Sequence, residues 1–160
     1  TTAFDRIRSV ASSLAEPRTA AWIADEAHVS EPTTREHLSR LVDLGVLVTD
    51  ETSAGKTYYP DPVYTRLSAL RELVSENTEA DLAEQAAAVQ RDIETWKERF
   101  DVESSSELRA SVAAGEMDHD DVQERLRIAD NWDSASYQLS LLKDALEHYA
   151  TYTARPPTSA

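Results

Sequence analysis

Residues 19–59, TAAWIADEAHVSEPTTREHLSRLVDLGVLVTDETSAGKTYY, read as two short helices meeting at a tight turn and running directly into a two-stranded hairpin. The first helix is expected over Ala20–Ala27. Thr19 precedes it as a candidate N-cap, and Ile23, Ala24 and Ala27 share one face at helical spacing. His28 and Val29 make the turn, and Ser30 stands where it can cap a second helix. Pro32 is tolerated in that helix's first turn, which has no intrahelical N–H partner to lose. Thr34, Leu38, Leu41 and Val42 form its apolar stripe, and Gly45 follows its end, where a left-handed residue is needed. Val46–Thr49 then read as a strand, Asp50–Gly55 as a turn and Lys56–Tyr59 as the return strand.

The stripe leaves Ser30, Thr33, Arg35, Glu36, Ser39 and Arg40 facing outward. Small polar and guanidinium groups at such positions reach base edges and phosphates from a helix lying in a major groove. The order helix, turn, helix, hairpin resembles the winged helix-turn-helix domain of archaeal and bacterial transcription regulators, and the segment VSEPTTREHLSRLVDLGVLV carries the resemblance. It is similar to the recognition-helix signature of the arsenic-repressor-like and MarR-like families: a Ser/Thr-rich start, then Thr33, His37, Leu38 and Leu41, then glycine leading into the wing. The resemblance implies a recognition helix over about residues 30–44 and a wing over about 46–59. Its DNA contacts fall on Ser30, Thr33, Arg35, His37 and Arg40 and on Thr52, Ser53 and Lys56 at the wing tip. Glu31 and Glu36 put carboxylates on the same helix, and Asp50 and Glu51 stand beside Lys56. A protein-interaction module that does not bind DNA is therefore the second reading.

Upstream, residues 3–15 place Phe4, Ile7, Val10, Ala11 and Leu14 on one stripe, and Glu16-Pro17 stops that helix. Downstream, Pro60 and Pro62 punctuate the chain and are expected to part a DNA-binding domain, residues 1–61, from an α-helical dimerisation domain, residues 62–155, with a flexible tail over 156–160. The second part reads as helical throughout. Leu82, Ala86, Val89, Ile93, Trp96 and Phe100 alternate four and three residues apart; Ile128, Trp132, Ala135, Leu139, Leu142, Leu146 and Tyr149 do the same. Two such seams imply either an antiparallel pair within one chain or a helical dimer. Because a helix-turn-helix reader needs two recognition helices about one DNA turn apart, Leu82, Val89, Ile93, Trp96, Phe100, Trp132, Leu139, Leu142, Leu146 and Tyr149 are assigned to a homodimer seam. The expected fold is thus mainly α with a small β-hairpin wing, followed by a long-helix, coiled-coil-like domain.

Composition narrows the function further. No cysteine is present and the chain holds three glycines, which leaves no thiolate site and no glycine-rich phosphate loop. His28, His37 and His148 are scattered, and consecutive Asp118, His119, Asp120 and Asp121 point in different directions on a helix start. No metal, cofactor or enzymatic chemistry is expected. A small-molecule effector is conceivable near the aromatic residues of the helical part, but their spacing favours core packing. No run approaches the roughly 18 apolar residues of a membrane span. The N-terminal residues lack the layout of a secretion signal, so a cytoplasmic location without membrane contact is expected.

Thirty acidic residues against sixteen basic ones give a net charge of −14, unusual for a DNA-binding chain. Six bases and nine acids fall within residues 1–60, so the presumed reader is the less acidic part. Acid excess, scarce lysine and abundant alanine, threonine and aspartate resemble the protein style of salt-loving archaea. There, a Debye length near ~3 Å at about 1 M salt removes long-range repulsion from phosphates. This halophilic reading predicts loss of far-ultraviolet circular dichroism on dialysis into dilute buffer; full retention of structure there contradicts it.

Overall fold

The computed structural model describes residues 1–159. It is mainly helical with one small antiparallel sheet: α1 (Ala3–Ser12), β1 (Arg18–Thr19), α2 (Ala20–Ala27), α3 (Glu31–Asp43), β2 (Leu47–Thr52), β3 (Gly55–Pro60), α4 (Pro62–Glu76), α5 (Glu79–Phe100), α6 (Ser105–Ala114), α7 (His119–Glu147) and α8 (Tyr149–Thr153). The chain packs as two units, Thr1–Ser68 and the remainder from Ala69.

In the first unit, Thr2 and Asp5 form a reciprocal cap on α1. The helix ends at Ser12, short of the expected Glu16-Pro17 stop, because the Ser13 hydroxyl donates to the carbonyls of Ser9 and Val10 and competes with the next helical turn. Thr19 caps α2 by accepting from the Trp22 N–H at 3.3 Å. After α2, His28 enters the left-handed region at φ 54°, and the Val29 N–H reaches the Ala24 carbonyl. The chain is thereby redirected into α3, whose exit uses Gly45 at φ 77°. There the N–H groups of Gly45 and Val46 return to the carbonyls of Val42 and Leu41.

The sheet has three strands in the order β1-β3-β2, one more than the expected hairpin. β1 pairs Arg18 with Tyr58 and Thr19 with Thr57. Two residues after a proline carry no alternating pattern, which hides this strand from a periodicity reading. The hairpin is also longer and its turn tighter than expected: β2 and β3 pair from Leu47–Pro60 to Thr52–Gly55, leaving Ser53 and Ala54 as the loop. The Thr52 hydroxyl closes it, accepting from the Ala54 N–H and donating to the Gly55 carbonyl, while Gly55 takes φ 105°. Ile7, Ala11, Ala20, Ile23, Ala27, Leu38, Leu41, Val46, Leu47 and Tyr58 form the core, with Phe4, Leu14, Trp22 and Val42 against it.

Pro60 and Pro62 mark a strand-to-helix corner rather than a boundary between packing units. Asp61 between them donates its N–H to the Val46 carbonyl, and its carboxylate accepts from the Val63 N–H at 2.8 Å. The division between units falls inside α4, at Ser68 and Ala69. The turn after α4 uses Asn77, whose amide donates to the Leu73 carbonyl, and Thr78, which caps α5.

In the second unit α5 and α7 pair within one chain. Leu82 near the start of α5 packs with Leu142 near the end of α7, and Ile93 near the end of α5 packs with Ile128 and Trp132 near the start of α7, so the helices run antiparallel. The side chains assigned to a dimer seam are consumed here. Leu82 and Leu142 are core residues of one cluster, with Val89, Leu146 and Tyr149 packed on it; Ile93, Trp132 and Leu139 are core residues of the other, with Trp96 and Phe100 against them. Seam meets seam inside the chain because the intervening loop and α6 are long enough to let α7 fold back. Polar pins fix the arrangement: Arg109 of α6 pairs with Asp130 and Asp133, each at 2.7 Å, and Arg99 pairs with Glu124 at 2.6 Å. The Ser105 hydroxyl and the Arg109 guanidinium hold the Asp133 carboxyl below its usual range. Gly115, which follows α6, takes an extended conformation rather than a left-handed one. Ala160 of the expected tail lies outside the described residues.

One core side chain is polar without return. Thr34 is fully buried, and its hydroxyl finds no partner among the described residues. Thr34→Val, close in shape, removes a desolvated hydroxyl and is expected to raise unfolding stability by about 1 kcal/mol in a urea titration. A loss of similar size would show that the hydroxyl is hydrogen-bonded in solution.

Candidate nucleic-acid interface

The orientation of α3 follows from its buried stripe. Thr34, Leu38 and Leu41 are 0%, 0% and 1% exposed, and they turn the opposite face outward. Ser30, Glu31, Pro32, Arg35, Glu36, Ser39 and Arg40 are exposed there, while Thr33 and His37 are half-buried at its edge. Pro32, Arg35, Glu36, His37, Ser39 and Arg40 line a shallow concavity on this face. The hairpin tip, Thr52 to Lys56, is exposed as well.

Individual side chains depart from their expected roles. Ser30 sits at the N-cap position but makes no side-chain cap; its hydroxyl donates to the Thr33 hydroxyl at 3.0 Å. The pair leaves first-turn N–H groups of α3 without a side-chain acceptor at the positive end of the helix dipole. Arg35 is not free. Its Nε and Nη2 both donate to Glu31 Oε1, at 3.2 and 2.6 Å, one helical turn away. His37 turns inward rather than toward a ligand: its ring meets Phe4 edge-on, 5.4 Å between centroids at 67°, and its Nδ1 is buried without a partner among the described residues. Arg40 makes no ion pair among the described residues, and its guanidinium lies 5.9 Å from the centroid of the Phe4 ring.

At the hairpin, Lys56 stands opposite Glu51 in the strand register, with its ammonium 5.9 Å from the Tyr58 ring. The two form no ion pair among the described residues, but an opposite charge across the strands partly offsets the lysine's charge toward an outside anion. The Thr52 hydroxyl is occupied in closing the turn, which leaves Ser53 as the exposed hydroxyl of the tip. The pattern of residue types singles out Arg35, Arg40 and Lys56 alike, yet only contacts distinguish a tied cation from an available one. Phe4 and Arg8, one turn apart on α1, belong to the same surroundings as Arg40, and no signal within the helix pair points to them.

Among the described residues no three histidine or carboxylate side chains gather as a cation site, and no helix is long and apolar enough to cross a membrane. The Asp118 carboxylate is used as an N-cap, accepting from the Asp121 N–H at 2.9 Å. Of the aromatics considered for an effector site, Trp96 and Trp132 meet at 6.0 Å with their rings tilted by 38°, and the Tyr149 hydroxyl donates to the Asn77 carbonyl, whereas Tyr137 and Tyr152 are exposed.

The Glu31–Arg35 pair is exposed on both sides, so it adds little to stability; an exposed helical pair and a carboxylate near a helix start each contribute at most about 1 kcal/mol. Glu31→Gln is expected to lower unfolding stability by less than about 1.5 kcal/mol in urea. A loss well beyond that would make the pair a structural brace rather than a restraint on Arg35.

Comparisons with known proteins follow from the whole chain rather than from this face. No curated protein and no solved structure matches it. Residues 1–151 match the model described as "Family of unknown function (DUF7342)", and the chain belongs to that family.

Proposed function

We propose that this protein is a sequence-specific, double-stranded DNA-binding regulator in which α3 is the recognition helix of a winged helix-turn-helix and the β2–β3 hairpin is its wing. The observation that carries this reading is the two-faced character of α3. An apolar stripe anchors it on α1 and α2, and a row of hydroxyl and guanidinium groups faces outward along its length. The adjoining hairpin exposes its tip and Lys56, as a backbone-contacting element requires.

In this reading the first turn of α3, with Ser30 and Thr33, meets a backbone phosphate at the positive end of the helix dipole. Arg40 and Lys56 neutralise further phosphates, and Arg35 reads a base edge. Arg35 has to leave Glu31 to do so. Opening an exposed pair costs about 0–1 kcal/mol, less than a bidentate contact to guanine returns in discrimination, about 1–3 kcal/mol. Glu31 thus acts as a holder that favours release only where a better acceptor is present. His37 supports the face through Phe4 and takes no base contact. A single helix covers few base pairs, so the reader works as a homodimer, built on surface outside the two intrachain cores.

The second reading, an acidic protein-interaction module, is favoured by the occupied state of Arg35 and by the exposed Glu36 beside it. Titration of labelled duplexes by fluorescence anisotropy separates the two. Arg35→Ala is expected to weaken binding to the preferred duplex by about 1–3 kcal/mol and to relax preference at one position, while Glu31→Gln tightens binding. Unchanged affinity in Arg35→Ala would remove Arg35 from recognition, and duplex binding by neither wild type nor variants would favour the protein-interaction module.

A further inference from the structure

We propose that Arg8 and Arg40 form a phosphate clamp for the DNA backbone, contributed by two helices and seated on the ring of Phe4. The inference rests on the DNA-binding reading above and adds Arg8, which lies on α1 outside the helix pair and the hairpin.

Half of the basic side chains in residues 1–60 are already engaged. Arg6 donates to the carbonyls of Ala27 and Thr1, at 3.0 and 3.2 Å. Arg18 pairs with Glu16 at 2.5 Å and lies 4.5 Å over the Trp22 ring, and Arg35 is held by Glu31. The remaining three, Arg8, Arg40 and Lys56, make ring contacts and no ion pair among the described residues. Two of these three converge. The guanidinium carbon of Arg8 lies 6.0 Å from the Phe4 centroid and that of Arg40 lies 5.9 Å from the same point, with the His37 ring packed edge-on against that ring.

Convergence of two like charges on one ring disfavours folding slightly, and a third party of opposite charge reverses the sign. The ring steadies both long side chains without neutralising them, since a quadrupole accepts no proton and displaces no donor. Their donors therefore stay open to an outside anion, and less conformational freedom is lost when one binds. The carboxylate closest in sequence, Asp5, is already engaged: it accepts from the Thr2 hydroxyl and N–H, which hold its pKa below the usual range, with the Arg8 charge a smaller cause. Arg40 stands on the outward face of α3 beside the proposed base reader, and Arg8, exposed in the middle of α1, shares the Phe4 ring with it, so a backbone reaching Arg40 comes near Arg8 as well.

The test is the salt dependence of duplex binding for wild type, Arg8→Gln, Arg40→Gln and Arg18→Gln, measured by anisotropy at KCl concentrations from about 0.2 to about 2 M, within the range in which circular dichroism shows each folded. Removing one phosphate interaction lowers the slope of log affinity against log salt by about 0.9, so the penalty of a clamp variant is about eightfold larger across a tenfold drop in salt. Arg8→Gln and Arg40→Gln are expected to show that change, and Arg18→Gln, which removes an equal charge from a paired position, to keep the wild-type slope. A wild-type slope in Arg8→Gln overturns the clamp while leaving the DNA reading standing, and an equal fall in Arg18→Gln overturns it as a general charge effect. Absence of wild-type binding to any duplex overturns the DNA reading and the clamp together.

Discussion

The burial of Leu38 and Leu41 against Ile7, Ile23 and the start of β2 is the constraint on which the outward face of the first unit depends. Each fully buried leucine contributes on the order of 1.5–3 kcal/mol, far more than any polar contact on the opposite side of α3. Helical geometry then leaves no choice about what is presented: once Thr34, Leu38 and Leu41 point inward, Arg35, Ser39 and Arg40 point out. The left-handed residues on either side of α3, His28 in the turn before it and Gly45 after it, set its direction against α2 and the sheet. β1 fastens the segment before α2 to the central strand β3. The two-residue strand is small, but it ties the helix pair and the hairpin into one sheet-backed unit.

On that frame the electrostatics decide availability rather than position. A net charge of −14 keeps the chain away from anions in general, so the proposed binding to DNA would depend on a few cations that no local carboxylate has captured. Arg35 is captured and can be released; Arg8 and Arg40 rest on an aromatic ring with their charge intact. In the proposed DNA reading such a face would discriminate by exchange, with Glu31 replaced as the partner of Arg35 by a base edge that serves it better. Under that proposal, selectivity would depend on the acceptor, the balance that a regulator among many competing sites requires.

The helices of the first unit are legible because their stripes, the α2 cap and the terminal glycine agree: Thr19, Leu38, Leu41 and Gly45 each occupy the role their type and spacing imply, while Ser30 takes the cap position without the cap bond. β1 is not legible, since Arg18 and Thr19 become a strand only through Tyr58 and Thr57, far along the sequence. The tight turn at Ser53 and Ala54 escapes because it lacks the Asn-Gly type of signal and uses a threonine hydroxyl instead. In the second unit the spacing of the seams is plain in the sequence and leaves their partner open: a four-three repeat is the same whether its complement is another chain or a later helix of the same one. At the candidate interface the residue types are visible and their engagement is not. Nothing in the string distinguishes Arg35, tied one turn back to Glu31, from Arg40, and nothing brings Phe4 and Arg8 to α3 before the helices are packed.

If duplex DNA lies on the exposed face of α3, with the hairpin tip and Arg8 of α1, a heteronuclear NMR titration of the intact chain reports it residue by residue. The duplex used is one from the region preceding the gene. Amide shifts are expected to concentrate at residues 30–40, 52–56 and around Arg8, with α5 to α7 unchanged. Shifts confined to α5 to α7, or none at any duplex concentration with the protein folded, would contradict DNA binding at this face.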